Sequence, residues 1–147
     1  MLICIDHGNK QIKTIHRTFT SGLVESDTRP PFGDNTMFYN GKYYTLSDQR
    51  IPYIRDKTED DRFFVLTLFA IAFEINIAGQ YMTDKLIDIQ LAVGLPPAHY
   101  GTQYKKFAQY FLDRGVISFE CNGRVYSVCI TEAVCFPQAL AATAPVF

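Results

Sequence analysis

The chain has 147 residues, of which 48% are hydrophobic and 20% are charged. This length and balance are typical of one folded domain with a sizeable core, and they exclude a largely disordered chain. The formal net charge of −1 provides no basic surface, so bulk electrostatic attraction to nucleic acid or to an anionic membrane is not expected.

Cysteine usage and apolar run length indicate a cytoplasmic protein. The four cysteines form no Cys-x-x-Cys pair and lie in strand-like apolar runs, which predicts reduced core residues: Cys4, Cys121, Cys129 and Cys135. Asp6 interrupts the apolar N-terminus, so we expect no signal peptide. The longest apolar run, Phe63 to Phe73, is too short to cross a bilayer and favours a buried helix.

The first thirteen residues predict a β-hairpin with a carboxylate at its mouth. An apolar strand over residues 2–5 leads to Asp6, and Gly8 and Asn9 then form the turn. A tight glycine turn lets backbone N–H groups approach a phosphate, Lys13 on the return strand can offset phosphate charge, and Asp6 can hold a hydrated Mg²⁺. An ordinary hairpin turn explains the same residues equally well.

Further elements follow in chain order. A third extended stretch, residues 16–20, leads into a loop rich in turn residues up to residue 34. Asn40-Gly41 between aromatic arms predicts an inserted hairpin around residues 35–46. The tyrosines of its arms favour cross-strand packing over lining a groove for a ring: Tyr39, Tyr43 and Tyr44.

A buried helix is predicted next, opening at residues 56–61 with Thr58 as its N-cap and running to about Ala78, where Gly79 ends it. Residues 86–93 predict a strand that leads into a second helix, and Gly115 ends that helix. A hairpin turning at Asn122-Gly123 and a short helix from Pro137 complete the chain. This order predicts an α/β domain with a mixed sheet.

Three stretches carry a resemblance to a known family. Asp6 to Lys13 is similar to a first phosphate loop, Asp-x-Gly-x-x-x-x-Lys. Asp56-Lys-Thr opens the buried helix, and the strand after that helix ends in Val93-Gly-Leu-Pro96. The segment Val134 to Gln138 looks like the one that positions an attacking water. Over essentially its whole length the chain resembles the N-terminal, ribonuclease-H-like domain of plasmid-segregation actin-like ATPases of the ParM/StbA type, in the actin/Hsp70/sugar-kinase superfamily.

The resemblance implies a site for ATP and Mg²⁺. Gly8 and Asn9 would lie against the β- and γ-phosphates with Lys13 beside them, Asp6 would hold the metal through water, and Gln138 would orient the nucleophilic water. Because a neutral glutamine is a weak base, slow hydrolysis is expected. The resemblance also implies self-assembly into cytoplasmic filaments and a DNA-bound adaptor protein as partner, without direct nucleic-acid or membrane binding.

The family's ATP site lies between two domains, and the second phosphate loop, Asp-x-Gly-x-Thr, does not occur after Gln138. We therefore expect residues 1–147 to form a single N-terminal domain, half of a two-domain protein, and to be inactive or nearly so as an ATPase alone. Asn9 also departs from the Ser or Thr that many relatives carry.

Two other functions remain open. One is a non-catalytic binding or assembly module of the same fold, docking through the aromatic hairpin around Tyr39–Tyr44. The other is a ribonuclease-H-like metal-dependent nuclease, which needs several carboxylates converging on two metals. Its candidate residues are Asp6, Glu74 and Asp88.

Overall fold

The computed structural model describes residues 1–30 and 35–138. In this part of the chain nine strands form one sheet, and two helices accompany it. The strands are β1 (Leu2–His7), β2 (Gln11–Lys13), β3 (Thr18–Thr20), β4 (Leu23–Ser26), β5 (Thr36–Tyr39), β6 (Lys42–Leu46), β7 (Leu86–Leu95), β8 (Val116–Cys121) and β9 (Arg124–Pro137). The helices are α1 (Arg62–Ile77) and α2 (Pro97–Leu112). The strand order is β3-β2-β1-β7-β9-β8-β5-β6-β4.

The centre of the sheet is parallel. β1 pairs with β7 and β7 with β9 in parallel, whereas the outer pairs are antiparallel. Asp6 lies opposite Gly94, and Gly94 lies opposite Phe136. The carboxyl ends of all three strands therefore meet at one edge of the sheet. The predicted mixed α/β sheet with flanking helices is confirmed.

The core lies on one face of this parallel centre. Ile3, Ile5 and His7 of β1 are buried, whereas Leu2 and Cys4 on the opposite face are exposed. This alternation follows from the period of two in a strand. The prediction that Cys4 is a core residue was wrong, because it occupies the outward position of β1. The four cysteines are free, as predicted.

α1 is buried along almost its whole length, as predicted from its all-round apolar sequence. Its predicted start was wrong, since the helix begins at Arg62 rather than near Thr58. Thr58 instead donates to the Asp56 carboxylate through both its backbone N–H and its hydroxyl, which closes a turn before the helix. The first turn of α1 is held by Tyr110 of α2, whose hydroxyl accepts from the Phe64 N–H at 3.0 Å.

The two Asn-Gly hairpins form as predicted. Both turns have positive φ at each central residue, with 52° and 81° at Asn40-Gly41 and 51° and 83° at Asn122-Gly123. However, the first hairpin is part of the main sheet, because β5 pairs with β8 and β6 pairs with β4. The prediction of a loop at β4 was wrong, because this short edge strand is defined by its pairing with β6.

The tyrosines of the first hairpin include the predicted cross-strand packing, since Tyr43 lies opposite Phe38 with ring centroids 4.7 Å apart. Tyr44 is buried, and the ring centroid of Tyr39 lies 5.7 Å from that of Phe64 in α1. The predicted helix from Pro137 is wrong at its first residue, because β9 continues through Pro137 beside Leu95. Residues 139–147 lie outside the described part. Neither described helix is long and apolar enough to cross a membrane.

His7 joins the end of β1 to both helices. Its Nε2 lies 2.7 Å from the Thr67 hydroxyl of α1, and its ring lies 5.1 Å from that of Phe107 and 5.7 Å from that of Phe111 in α2. Since the Thr67 hydroxyl donates to the Phe63 carbonyl, His7 Nε2–H must be the donor to Thr67. Burial, with a smaller contribution from Lys57, lowers the pKa of His7 from 6.5 to about 3.

The buried neutral His7 makes stability sensitive to acid. The unfolded chain takes up a proton at this residue near pH 6.5 and the folded chain only near pH 3, so folded stability falls as the pH drops through this window. We expect His7 to contribute a loss of about 1.4 kcal/mol per pH unit in that range. Urea unfolding of wild type and His7→Gln at several pH values checks this, since the variant should be less stable at pH 7 but show a shallower slope. Equal slopes would contradict it.

Candidate functional site

The turn after β1 is tight and held on both sides. The Gly8 N–H donates to the Gln11 carbonyl at 3.0 Å, and the Ser21 hydroxyl donates to the Gly8 carbonyl at 2.9 Å. A Cβ at Gly8 would lie 2.7 Å from the Gln11 oxygen, closer than real Cβ contacts. Only glycine therefore fits this turn, in which the Gly8 N–H and carbonyl are both used within the protein.

Asp6 stands at the mouth of the turn, as predicted. Burial raises the pKa of its carboxyl, while the Lys13 charge and a hydrogen bond from the Gln138 side chain act in the opposite direction. Lys13 is exposed and lies directly opposite Asp6 across the β1–β2 pair. Within the described residues no donor reaches the buried Oδ1 of Asp6. A carboxylate oxygen without a donor is an acceptor whose charge a cation would balance.

Gln138 reaches the same place from another strand. It follows β9 at the carboxyl edge of the sheet, and a Cβ at Gly8 would lie 3.7 Å from its Nε2. The structure thus brings together four of the predicted residues from the ends of β1, β2 and β9: Asp6, Gly8, Lys13 and Gln138. Parallel pairing of the central strands causes this convergence, and local sequence could not show it.

Asn9 is also at the turn, but its side chain faces a residue that sequence analysis missed. The Lys57 ammonium donates to Asn9 Oδ1 at 2.6 Å, and Lys57 is only 1% exposed. The available signal was weak: Lys57 is the one basic residue in the acidic stretch 56–61, where it reads as part of a helix start. Its contact with Asn9 joins positions 48 residues apart.

The carboxylates predicted for a nuclease do not come together. Asp88 lies in β7 six positions before Gly94, the partner of Asp6, which separates the two carboxylates by about 20 Å along the sheet. Glu74 contacts His16 Nδ1 at 3.0 Å near the end of α1. Across residues 1–30 and 35–138 no group of three or more His, Cys, Asp or Glu residues could hold a metal ion. The geometry therefore argues against two-metal chemistry.

A metal bound together with a phosphate ligand fits the site better than a metal held by protein alone. Mg²⁺ usually keeps several waters and takes one or two carboxylates plus substrate phosphates. Asp6 provides one such carboxylate with an unsatisfied buried oxygen, and it lies beside the tight Gly8 turn. These residues therefore fit Mg²⁺ with a polyphosphate.

The sequence matches the family described as "Actin like proteins N terminal domain" over residues 4–140. No curated protein matches it.

Solved structures share the fold at low sequence identity. The crystal structure of apo pSK41 ParM has a TM-score of 0.70 at 14% identity, covering 94% of this chain and 49% of that one. An AlfA filament bound to AMPPNP has a TM-score of 0.69 at 16% identity, with 93% and 54% covered. The actin-like protein Alp7A has a TM-score of 0.67 at 16% identity, with 92% and 44% covered. The chain thus spans about half the length of these structures.

Two glycine substitutions should act in opposite directions. Gly8→Ala forces a Cβ against the Gln11 carbonyl, so we expect it to lower the free energy of unfolding by at least about 1 kcal/mol. Gly101→Ala lies in α2 with nothing within 4 Å of the new Cβ, so it should stabilise the protein by about 0.5–1 kcal/mol. Chemical unfolding of both variants measures these changes, and a neutral Gly8→Ala would show that the turn is not tight.

Proposed function

This chain is an N-terminal domain of the actin-like protein family, and we propose that it supplies the first phosphate loop of an ATP site. In this proposal, the protein of which it is a part forms filaments and segregates plasmid or other DNA. The proposal rests mainly on one observation. Asp6 near the end of β1 and Gln138 directly after β9 both lie beside the glycine turn at the carboxyl edge of the sheet. Ligands of open α/β sheets bind at this edge.

Each residue has a role that its position supports. The Gly8-Asn9 backbone lies against the phosphates, and Lys13 offsets their charge from the neighbouring strand. Asp6 would hold Mg²⁺ through water, and that ion would neutralise phosphate charge when bound. Gln138 holds a water by hydrogen bonding but takes up its proton poorly, so hydrolysis in the whole protein is slow.

The site is one side of a cleft. The chain spans 44–54% of the length of the similar structures, one of which is a filament bound to AMPPNP. We propose that a second lobe completes the ATP site and that ATP hydrolysis belongs to the two lobes together. The partners are then further copies of the same protein in a cytoplasmic filament and an adaptor protein that binds the DNA.

The proposed role of the phosphate loop is tested by measuring how tightly a fluorescent ATP analogue binds to the protein that contains both lobes. We expect Lys13→Ala to weaken binding about tenfold, because a charge-assisted contact to phosphate contributes about 1.5–3 kcal/mol and exposure reduces it. Lys85→Ala is the matched control, since Lys85 is an exposed lysine just before the amino end of β7. Equal affinity in the two variants would contradict the assignment of Lys13.

Sedimentation with and without AMPPNP tests assembly. The natural protein should pellet when AMPPNP is present, Lys85→Ala should behave alike, and Lys13→Ala should need about tenfold more nucleotide. Pelleting that does not depend on nucleotide would favour the binding or assembly module instead. A protein that neither binds the analogue nor pellets would contradict the proposed function.

A further inference from the structure

Lys57 is buried in a way that lysine seldom is. Lysines are almost never fully buried unless they are paired, yet Lys57 is 1% exposed. Its ammonium donates to Asn9 Oδ1 and lies 5.0 Å from the centroid of the Phe63 ring. Both partners are uncharged, so they satisfy part of its hydrogen-bonding capacity without balancing its charge.

No anion accompanies this cation in the described structure. The ion pairs among residues 1–30 and 35–138 do not include Lys57. The neighbouring carboxylate of Asp56 is bound instead by Lys106 and by Thr58. An ammonium held away from water without a counter-charge lowers stability.

The other titratable groups that act with Lys57 are bases. His7 comes from β1 and His99 from the first turn of α2, and the Lys57 charge contributes to lowering the pKa of each ring. Arg55 adds a further positive charge near His99. Burial lowers the pKa of Lys57 to about 8. In the described structure, several basic groups therefore surround Lys57, and the neighbouring carboxylate, Asp56, is already paired with Lys106.

A second feature of the region around Lys57 is an unsatisfied polar atom. His99 is buried, and its Nε2 lies 2.7 Å from the hydroxyl of Tyr53. Within the described residues its buried Nδ1 has no hydrogen-bond partner. α2 starts directly after the carboxyl end of β7, so its N-terminus faces the edge where the phosphate loop lies. Helix N-termini favour anions.

We propose that Lys57 forms an anion subsite behind the phosphate loop and contributes its ammonium to a phosphate group seated on the Gly8-Asn9 turn. This inference rests on the proposed function, whose residues Gly8 and Asn9 form the same turn. Asn9 holds the ammonium at the loop while no ligand is bound. The phosphate supplies the missing negative charge, so Lys57 is a binding residue rather than only a support for Asn9.

The subsite links phosphate binding to proton uptake. A phosphate stabilises the charged form of Lys57, so binding raises its pKa above about 8. Affinity should therefore be constant below pH 8 and fall as the pH rises above it. A lysine that only supports the loop would produce no such change.

The direct test is an NMR titration of lysine side chains in the natural protein, with the Lys57 signal assigned by its absence in Lys57→Met. The signal should titrate near pH 8 alone and at least one pH unit higher with saturating inorganic pyrophosphate. An unchanged titration, or no binding of pyrophosphate, would overturn the subsite.

Variants provide an independent test. At pH 7 we expect Lys57→Met to weaken pyrophosphate binding at least about tenfold, and Lys57→Arg to keep binding without the decline above pH 8. Lys105→Met is the matched control, because Lys105 is an exposed lysine of α2 whose ammonium lies over the Tyr104 ring. Its affinity should stay within about twofold of wild type.

Stability separates a binding residue from a support. The folded pKa of Lys57 lies below its ordinary 10.5, so the penalty for its charge is complete below about pH 8 and is relieved as the pH rises toward 10.5. Lys57→Met should consequently be at least as stable as wild type at pH 7. A strongly destabilised Lys57→Met, together with a Lys57→Arg whose affinity still falls above pH 8, would overturn the inference.

The outcomes also distinguish the two proposals. Pyrophosphate binding that depends on Lys57, without binding of the ATP analogue, would retain the subsite and reject the proposed function. Binding of the analogue that is unchanged in Lys57→Met would retain the proposed function and reject the subsite.

Discussion

Parallel pairing of β1, β7 and β9 is the constraint on which the candidate site depends. It places Asp6, Gly94 and Phe136 in one row, so the chain segments that follow the three strands leave the sheet together. Gly8 and Gln138, 130 positions apart, come within reach of each other for this reason. Antiparallel pairing of β7 with either neighbour would send one of these segments to the opposite edge.

The helices fix this edge through polar groups in the core. His7, the last residue of β1, donates to Thr67 in α1 and packs its ring against two phenylalanines of α2. The hydroxyl of Tyr110 in turn joins α2 to the first turn of α1, where it accepts from the Phe64 N–H. A shift of α1 would break the buried His7–Thr67 hydrogen bond, and a shift of α2 would break the partly buried Phe64–Tyr110 bond. The end of β1, where the Gly8 turn begins, is therefore held in place by both helices.

Much of this arrangement could be predicted from sequence. Both Asn-Gly hairpins, the buried helix and the glycine turn after β1 have local signals, because a turn or helix end requires particular residues at adjacent positions. The start of α1 has no such local signal, because the first turn of the helix is held by Tyr110, which lies 46 residues from its partner Phe64. β4 was missed for a similar reason, as its strand character comes from pairing with β6.

The difference between local signals and signals from distant partners also applies within the candidate site. Asp6, Gly8 and Lys13 are close in sequence and form one motif, whereas Lys57 has no motif and is found only through its contact with Asn9. Sequence predicts lysine to be solvated, and an acidic stretch around it strengthens that expectation. Burial of Lys57 depends on how the segment before α1 packs beside the Gly8-Asn9 turn, which is a tertiary property.

Asp6 and Lys57 each lack part of the polar or charged environment that their side chains require, and their charges are opposite. One is a half-buried carboxylate with an oxygen that no described donor reaches, and the other is a buried ammonium without a described counter-charge. Among the described residues no ion pair joins them. A metal-bound polyphosphate would supply a cation to the first and an anion to the second in one binding event. Both groups reduce stability while they lack a ligand, and this unfavourable energy is released on binding. In the proposed site, the two groups together would favour a ligand that carries both charges over a bare metal ion or a bare phosphate.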